Sequence, residues 1–190
     1  MFVTPIPIHA VLADAVEVLD AAGVSYAVMG GFAVRALGIP RPTYDGDLLV
    51  DLDVQRSVAL FPRFEESGFR IPPEFAKGYR DTLKGMEKIA IHKFQAGHDW
   101  LIDVFFPTTP LLQSAMKRRN KVAFMGKERG VLSLEDMVLL KIIAGRRKDG
   151  LDIEELLKVH RKPDLEYLRL WADRLHRSAD LEKELKHAGL

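Results

Sequence analysis

One stretch of sequence decides how this chain folds: Arg41-Pro42-Thr43-Tyr44-Asp45-Gly46-Asp47-Leu48-Leu49-Val50. Two aspartates two positions apart lead into a run of β-forming residues. In an extended strand, positions i and i+2 point to the same face, so Asp45 and Asp47 are predicted to project together. Adjacent carboxylates repel each other, and a hard cation such as Mg²⁺ would neutralise them. The alternative is a turn ahead of a strand, because Asp and Gly are turn residues.

A pair of glycines precedes this stretch. Residues 25–29 are predicted to form a short buried strand that runs into Gly30-Gly31, and residues 32–37 a short helix. A glycine turn between a strand and a helix lets backbone N–H groups approach phosphate oxygens. From the pair alone, a tight turn that binds nothing is the better interpretation.

Composition limits the class of protein. The chain has 190 residues, a net charge of +1, 47% hydrophobic residues and no cysteine. These values predict one domain, or one domain with a helical appendage, without disulfides or thiolate metal sites. The near-zero net charge argues against a protein that coats DNA. No signal-peptide pattern or membrane-length apolar run is evident in the sequence, so we expect a cytoplasmic protein without membrane partners.

Hydrophobic periodicity predicts a chain that combines helices and strands. Residues 1–132 are predicted to form the core, and residues 133–190 a helical portion packed on it. Helices are predicted at 8–22, 32–37, 54–68, 109–119, 133–148, 151–160, 165–175 and 179–188. Strands are predicted at 25–29, 47–52, 69–71, 88–95 and 100–106, with a hairpin over 122–132. Residues 74–86 are predicted as a loop or short helix, and Gly150 as a helix breaker.

A third aspartate, Asp103, interrupts the apolar strand 101–106. A carboxylate in a buried strand is costly unless it is paired or bound to a metal. One interpretation is a salt bridge to a nearby Arg or Lys. We favour the other, in which Asp103 is a third metal ligand beside Asp45 and Asp47.

The signals described so far, and a basic segment after them, follow one another in a fixed order along residues 26–157. The order is Gly30-Gly31, then Arg41-x-Thr43-x-Asp45-x-Asp47, then Asp103, then Lys141-x₄-Arg146-Arg147-Lys148-Asp149-x₂-Asp152. The series resembles the minimal nucleotidyltransferases of the DNA polymerase beta superfamily, and most closely the AbiEii-toxin-like group. The resemblance implies the nucleotidyltransferase fold, which is an α+β fold with a short mixed β-sheet flanked by helices. It also implies Mg²⁺-dependent transfer of a nucleoside monophosphate from an NTP to an acceptor hydroxyl, with two metal ions.

The resemblance also implies roles for individual residues. The nucleotide-binding set would be Gly30, Gly31, Arg41, Thr43 and Lys141. The catalytic and metal-binding set would be Asp45, Asp47 and Asp103, and the acceptor side would carry Asp149 or Asp152. Arg41 fits a phosphate fork and a salt bridge equally well. Most relatives carry an apolar residue where this chain has Gly46, which removes a side chain facing the core and is expected to loosen the strand.

The acceptor stays open at this point. A toxin-like role on tRNA or protein fits the resembled group, and a cognate antitoxin would then be a further partner. A small antibiotic-type molecule is the second alternative. A hypothesis of a different class is a nucleotide-binding or regulatory module without catalysis, against which the retention of three carboxylates and Lys141 argues.

Overall fold

The computed structural model describes residues 7–190, apart from the side chains of Pro7 and Val54. Within these residues lies one mixed sheet of seven strands in the order β3-β4-β5-β2-β1-β7-β6. The strands are β1 (Tyr26–Met29), β2 (Gly46–Val50), β3 (Asp81–Leu83), β4 (Met86–Gln95), β5 (His98–Phe105), β6 (Asn120–Phe124) and β7 (Lys127–Val131). The predicted mixed sheet is therefore confirmed.

Helices flank this sheet and make up the C-terminal part of the chain. They are α1 (Pro7–Ala21), α2 (Gly30–Ala36), α3 (Val54–Glu66), α4 (Pro73–Ala76), α5 (Pro110–Arg118), α6 (Leu134–Ala144), α7 (Arg147–Val159), α8 (Leu165–Arg174) and α9 (Ser178–Ala188). This arrangement confirms the predicted fold class, including its helical C-terminal portion. No helix in residues 7–190 is both long and apolar enough to cross a membrane.

The two central strands set the position of the site. Strand β2 pairs antiparallel with β1, which places Met29 opposite Asp47, and parallel with β5, which places Asp47 opposite Asp103. Val28 and Leu48, at the middle of β1 and β2, are fully buried. Strands that are covered on both faces have nearly continuous hydrophobic sequences, which is why β1 and β2 are so apolar.

The break between α6 and α7 lies at Gly145, not at Gly150. Gly145 has a left-handed backbone (φ +65°), and its N–H donates to the carbonyl of Lys141 at 2.9 Å, which ends α6. Gly150 lies inside α7, where an added Cβ would be 3.7 Å from the Glu184 carboxylate of α9. The prediction that Gly150 breaks the helix is wrong, because a glycine ends a helix only where the backbone needs a positive φ.

Two shorter segments also differ from prediction. Residues 73–76 form a short helix as expected, but residues 81–83 form a strand that pairs with β4 through a turn at Lys84-Gly85. The strand predicted over residues 69–71 is a single bridge between Arg70 and His92. Both segments are too short for hydrophobic periodicity to identify.

Gly46 is buried at the start of β2, and its missing side chain leaves no empty space. A Cβ built there would lie 2.4 Å from Cδ1 of Ile102 and 3.3 Å from Cδ1 of Leu12. The Ile102 side chain therefore occupies the volume that a larger residue would fill. The strand is packed at this point rather than loosened, because the neighbouring strand supplies the missing bulk.

We predict that Gly46→Ala lowers the free energy of unfolding by about 1–3 kcal/mol, because it overpacks a filled site. Urea unfolding followed by circular dichroism measures the change. Ile102→Val removes the Cδ1 atom that clashes, so the double variant Gly46→Ala/Ile102→Val should lose less stability than the sum of the two single variants. Gly150→Ala is the matched control and should leave stability unchanged or raise it. Additive effects at positions 46 and 102 would contradict the packing described here.

Candidate active site

A cavity of about 210 Å³ opens where the β1–α2 turn, the segment before β2, strand β5, the β3–β4 turn and helix α6 meet. We call it the carboxylate cavity. It is lined by Met29, Gly30, Gly31, Arg41, Asp45, Asp47, Leu83, Lys84, Met86, Asp103, Phe105, Met137, Leu140, Lys141, Ala144, Arg146 and Lys148. Seven of the ten residues singled out from the sequence are among them, and Thr43, Asp149 and Asp152 are the exceptions.

Three aspartates distant in sequence reach this cavity. The register of β2 and β5 sets Asp47 beside Asp103, and Asp45 directly precedes β2. Asp45 is exposed, whereas Asp47 and Asp103 are partly buried. Oδ1 of Asp103 accepts a hydrogen bond from Nζ of Lys88 at 2.7 Å. In the part of the chain that the structure describes, no three acidic or histidine side chains close around a point as a metal site would, so metal binding stays a prediction.

The two glycines are required by close packing. Gly30 has φ +62°, and a Cβ there would lie 1.9 Å from Oδ2 of Asp47. A Cβ on Gly31 would lie 2.5 Å from Oγ1 of Thr43. Any larger residue would therefore displace the Asp47 carboxylate or the Thr43 hydroxyl.

Thr43 supports an aspartate and does not face the cavity. It is buried, and its hydroxyl lies 3.2 Å from the carbonyl oxygen and 3.3 Å from Oδ1 of Asp45. The hydroxyl can donate its one proton to either oxygen. Thr43 thus orients Asp45, and its predicted contact with a nucleotide remains a prediction.

A cluster of ion pairs joins the segment before β2 to the C-terminal helices. Lys141 of α6 is buried, and its Nζ contacts Asp152 and lies 3.4 Å from Oδ1 of Asp149. Arg41 also pairs with Asp152, and Nε of Arg146 donates to Asp149 at 2.7 Å. The salt bridge considered for Arg41 is therefore present, and Arg41 lines the carboxylate cavity as well. Asp149 and Asp152 are buried and do not line that cavity, so an acceptor role for them stays a prediction.

The electrostatics of the carboxylates follow from this crowding. Burial, then the negative charges of Asp45 and Asp103, raise the pKa of Asp47 to about 7. Burial also raises the pKa of Asp103, against the opposing effect of the Lys88 ammonium. Burial acts the same way on Asp149, but the hydrogen bond from Arg146 and the charge of Lys141 outweigh it, and its pKa is lowered. The cavity therefore holds carboxylates that lack sufficient positive charge.

Sequence reasoning assigned no role to several basic residues of the site. Lys84, Arg146 and Lys148 line the carboxylate cavity, and Lys88 binds Asp103. Lys84 was detectable in principle, because Lys-Gly between two extended segments is a hairpin signal. The partner of Asp103 was not, because it depends on the register of β4 on β5.

Comparison with known proteins identifies the fold. No protein-family model and no curated protein matches this sequence. Among solved structures, an antigenic nucleotidyltransferase-like protein from Paracoccidioides brasiliensis is 23% identical, with 95% of this chain and 91% of that chain covered and a TM-score of 0.54. ANT(2″)-Ia in complex with adenylyl-2″-tobramycin is 13% identical, with 90% and 99% covered and a TM-score of 0.63. The chain has the nucleotidyltransferase fold, as predicted; membership of the AbiEii-like group stays a prediction.

We predict that the metal-free protein loses stability as the pH rises through the range in which Asp47 titrates. The folded pKa of about 7 lies above the reference value of 3.8, so the folded state holds a proton that the unfolded state releases. Between these values, raising the pH favours unfolding, and the loss is complete above the folded pKa. Urea unfolding in EDTA from about pH 5 to about pH 8 measures this slope. Asp47→Asn should flatten it, and an unchanged slope in that variant would contradict the assignment.

We predict that Asp152→Asn destabilises the protein by about 2–3 kcal/mol, because it leaves Arg41 unpaired and buried Lys141 with one carboxylate fewer. Thermal and urea unfolding measure the effect. Glu182→Gln is the matched control, since it removes a carboxylate from the exposed Arg169–Glu182 pair and should cause no measurable change. Equal stability of the Asp152→Asn variant and the wild type would show that the cluster does not hold the helices to the core.

Proposed function

We propose that this protein is a nucleotidyltransferase that moves a nucleoside monophosphate from an NTP to the hydroxyl of an acceptor. One observation carries the proposal: three carboxylates, a glycine turn and five cations, Arg41 and Lys141 among them, line a single cavity. The fold supports it, since the chain is built like ANT(2″)-Ia, whose structure contains an adenylylated product.

The donor set fits Mg²⁺, which prefers carboxylate oxygens. Asp45 and Asp47 would hold the metal, and Asp103 would join them if Lys88 shared its carboxylate. Bound metal would also relieve the repulsion that raises the pKa of Asp47. A pair of such ions would supply charge stabilisation at the attacking and leaving oxygens.

The protein's own groups would do the remaining work. The backbone N–H groups at Gly30-Gly31 would bind phosphate oxygens, and Lys141 and Arg41 would neutralise the β- and γ-phosphates. The acceptor oxygen forms a bond to the α-phosphorus as the bond to the bridging oxygen breaks and pyrophosphate leaves. The hydroxyl proton passes to Asp103, whose raised pKa makes it a better base than an ordinary aspartate.

A second function, a nucleotide-binding module without catalysis, is favoured by a specific observation. Oδ1 of Asp103, the proposed base, accepts a hydrogen bond from Nζ of Lys88, whose charge opposes the effect of burial on the Asp103 pKa. A carboxylate held by a cation is less available to take the proton of an acceptor, whereas nucleotide binding does not need it. A nucleotide-binding module would bind NTP but transfer nothing.

The enzyme proposal predicts transfer of label from one α-labelled NTP, in the presence of Mg²⁺, to an acceptor among total tRNA, the protein itself and antibiotics. Asp47→Asn should lower the rate by about 100-fold or more, since it removes charge at the reacting centre. Asp51→Asn, the same exchange at an exposed residue just after β2, should leave the rate unchanged. Tight NTP binding without any transfer would favour the module. If neither Mg²⁺ nor NTP raises the melting temperature, both functions are excluded.

A further inference from the structure

A second, larger depression continues from the carboxylate cavity. It is an open groove of about 650 Å³ between the α6–α7 junction and α9. Lys84, Lys141, Ala144 and Arg146 line both the groove and the carboxylate cavity, so the two spaces meet at these residues. A molecule in this groove would lie next to a nucleotide in the cavity.

The groove carries an excess of positive charge. Six Lys or Arg side chains and three Asp or Glu side chains are among its lining residues in the described part of the chain. Each acid has a basic neighbour. Glu154 pairs with Lys158, and Oδ2 of Asp180 lies 3.3 Å from a guanidinium nitrogen of Arg177. Oε2 of Glu184 lies 3.8 Å from Nδ1 of His187. Glu184 is the one lining acid without a Lys or Arg partner in the described part of the chain, and the unpaired cations outnumber it, so the groove is electropositive.

Three of the six cations of the groove form no ion pair within the described residues. Lys141, Arg146 and Arg177 are held in ion pairs. Lys84, Arg147 and Lys183 are exposed, and no ion pair or hydrogen bond within residues 7–190 engages their side chains. One lies at the junction with the carboxylate cavity, one at the start of α7 and one on α9. Unpaired cations in a concave surface are positioned to bind an anion.

The position of Lys84 singles it out among the hairpin turns. Lys84 and Gly85 both have positive φ at the tip of the β3–β4 hairpin, and Ala96-Gly97 and Met125-Gly126 share that backbone. Those two turns carry apolar residues and line neither space. The turn backbone is therefore common to all three hairpins and does not indicate a function. What distinguishes Lys84 is that its cation lines both the groove and the carboxylate cavity.

We propose that this groove is the acceptor site and that the acceptor carries phosphate groups. Lys84, Arg147 and Lys183 would bind phosphates next to the hydroxyl that receives the nucleotide. This part of the proposal rests on the proposed nucleotidyl transfer. A polycation such as tobramycin would meet like charge in the groove and bind poorly. A polynucleotide end and a small phosphate ester share the required chemistry, and the experiment distinguishes them.

Binding is measured directly, so that the test does not depend on catalysis. A fluorescent single-stranded oligoribonucleotide is titrated with the full chain, and a sugar phosphate is tested as a competitor. Binding of tobramycin to the protein alone is measured by calorimetry. Arg147→Gln/Lys183→Gln should weaken binding about tenfold and reduce the slope of log K against log salt by about 1.4. The control Lys117→Gln/Lys162→Gln makes the same charge change at exposed residues that line neither space, and should bind as the wild type does.

Each outcome decides the proposal. Loss of oligonucleotide binding only in the groove variant supports a polynucleotide acceptor. Competition by the sugar phosphate, lost in the same variant, supports a small phosphate ester. Equal binding by both double variants, no binding of either phosphate compound, or binding of tobramycin to the protein at least as tight as that of the phosphate compounds overturns the proposal. Groove binding that survives in Asp47→Asn while wild-type protein transfers no label would overturn only the proposed nucleotidyl transfer.

Discussion

The structure depends on holding like charges together on the inner strands β2 and β5 of the sheet. The pairing of β2 with β5 sets Asp47 beside Asp103, and the backbone of Gly30 closes against the Asp47 carboxylate. These contacts keep Asp47 out of water and close to the other aspartates, so burial first, and then the charges of Asp45 and Asp103, raise the pKa of Asp47 to about 7. The cost is offset by the strands themselves, because the residues beside Asp47 along β2 pack into the hydrophobic core.

Cations of neighbouring elements compensate for only part of this charge. Lys88 binds Asp103 from the adjacent strand, while Lys141 and Arg146 act on Asp47 from a distance. Arg41 and Lys141 instead meet at Asp152, and through it the loop before β2 is joined to α6 and α7. The same cations thus hold the C-terminal helices on the core and border the carboxylate cavity. The proposed nucleotide binding would therefore be coupled to stability, because a bound triphosphate would have to share these cations with Asp152.

The sequence predicts those features that depend on local geometry. The shared direction of Asp45 and Asp47 and the glycine turn at Gly30-Gly31 follow from strand and turn geometry, and the order of the motifs predicts the fold through the resemblance. Features set by strand register or by packing between distant elements were not predictable. The Lys88–Asp103 pair requires the register of β4 on β5. Gly145 and Gly150 look equally able to end a helix until the packing of α7 on α9 decides between them.

The two adjoining spaces differ in how their cations are used, and this difference bears on how ligands would bind. In the carboxylate cavity, Lys141 and Arg41 are paired with Asp152. The binding free energy of an incoming phosphate is therefore only the difference between its ion pairs with these cations and the ion pairs with Asp152 that it replaces. In the groove, Arg147 and Lys183 are exposed and hydrated, so an incoming phosphate replaces water rather than a carboxylate. Electrostatic attraction at the groove is therefore less opposed by rearrangement within the protein, although salt screens it more strongly because the cations are exposed.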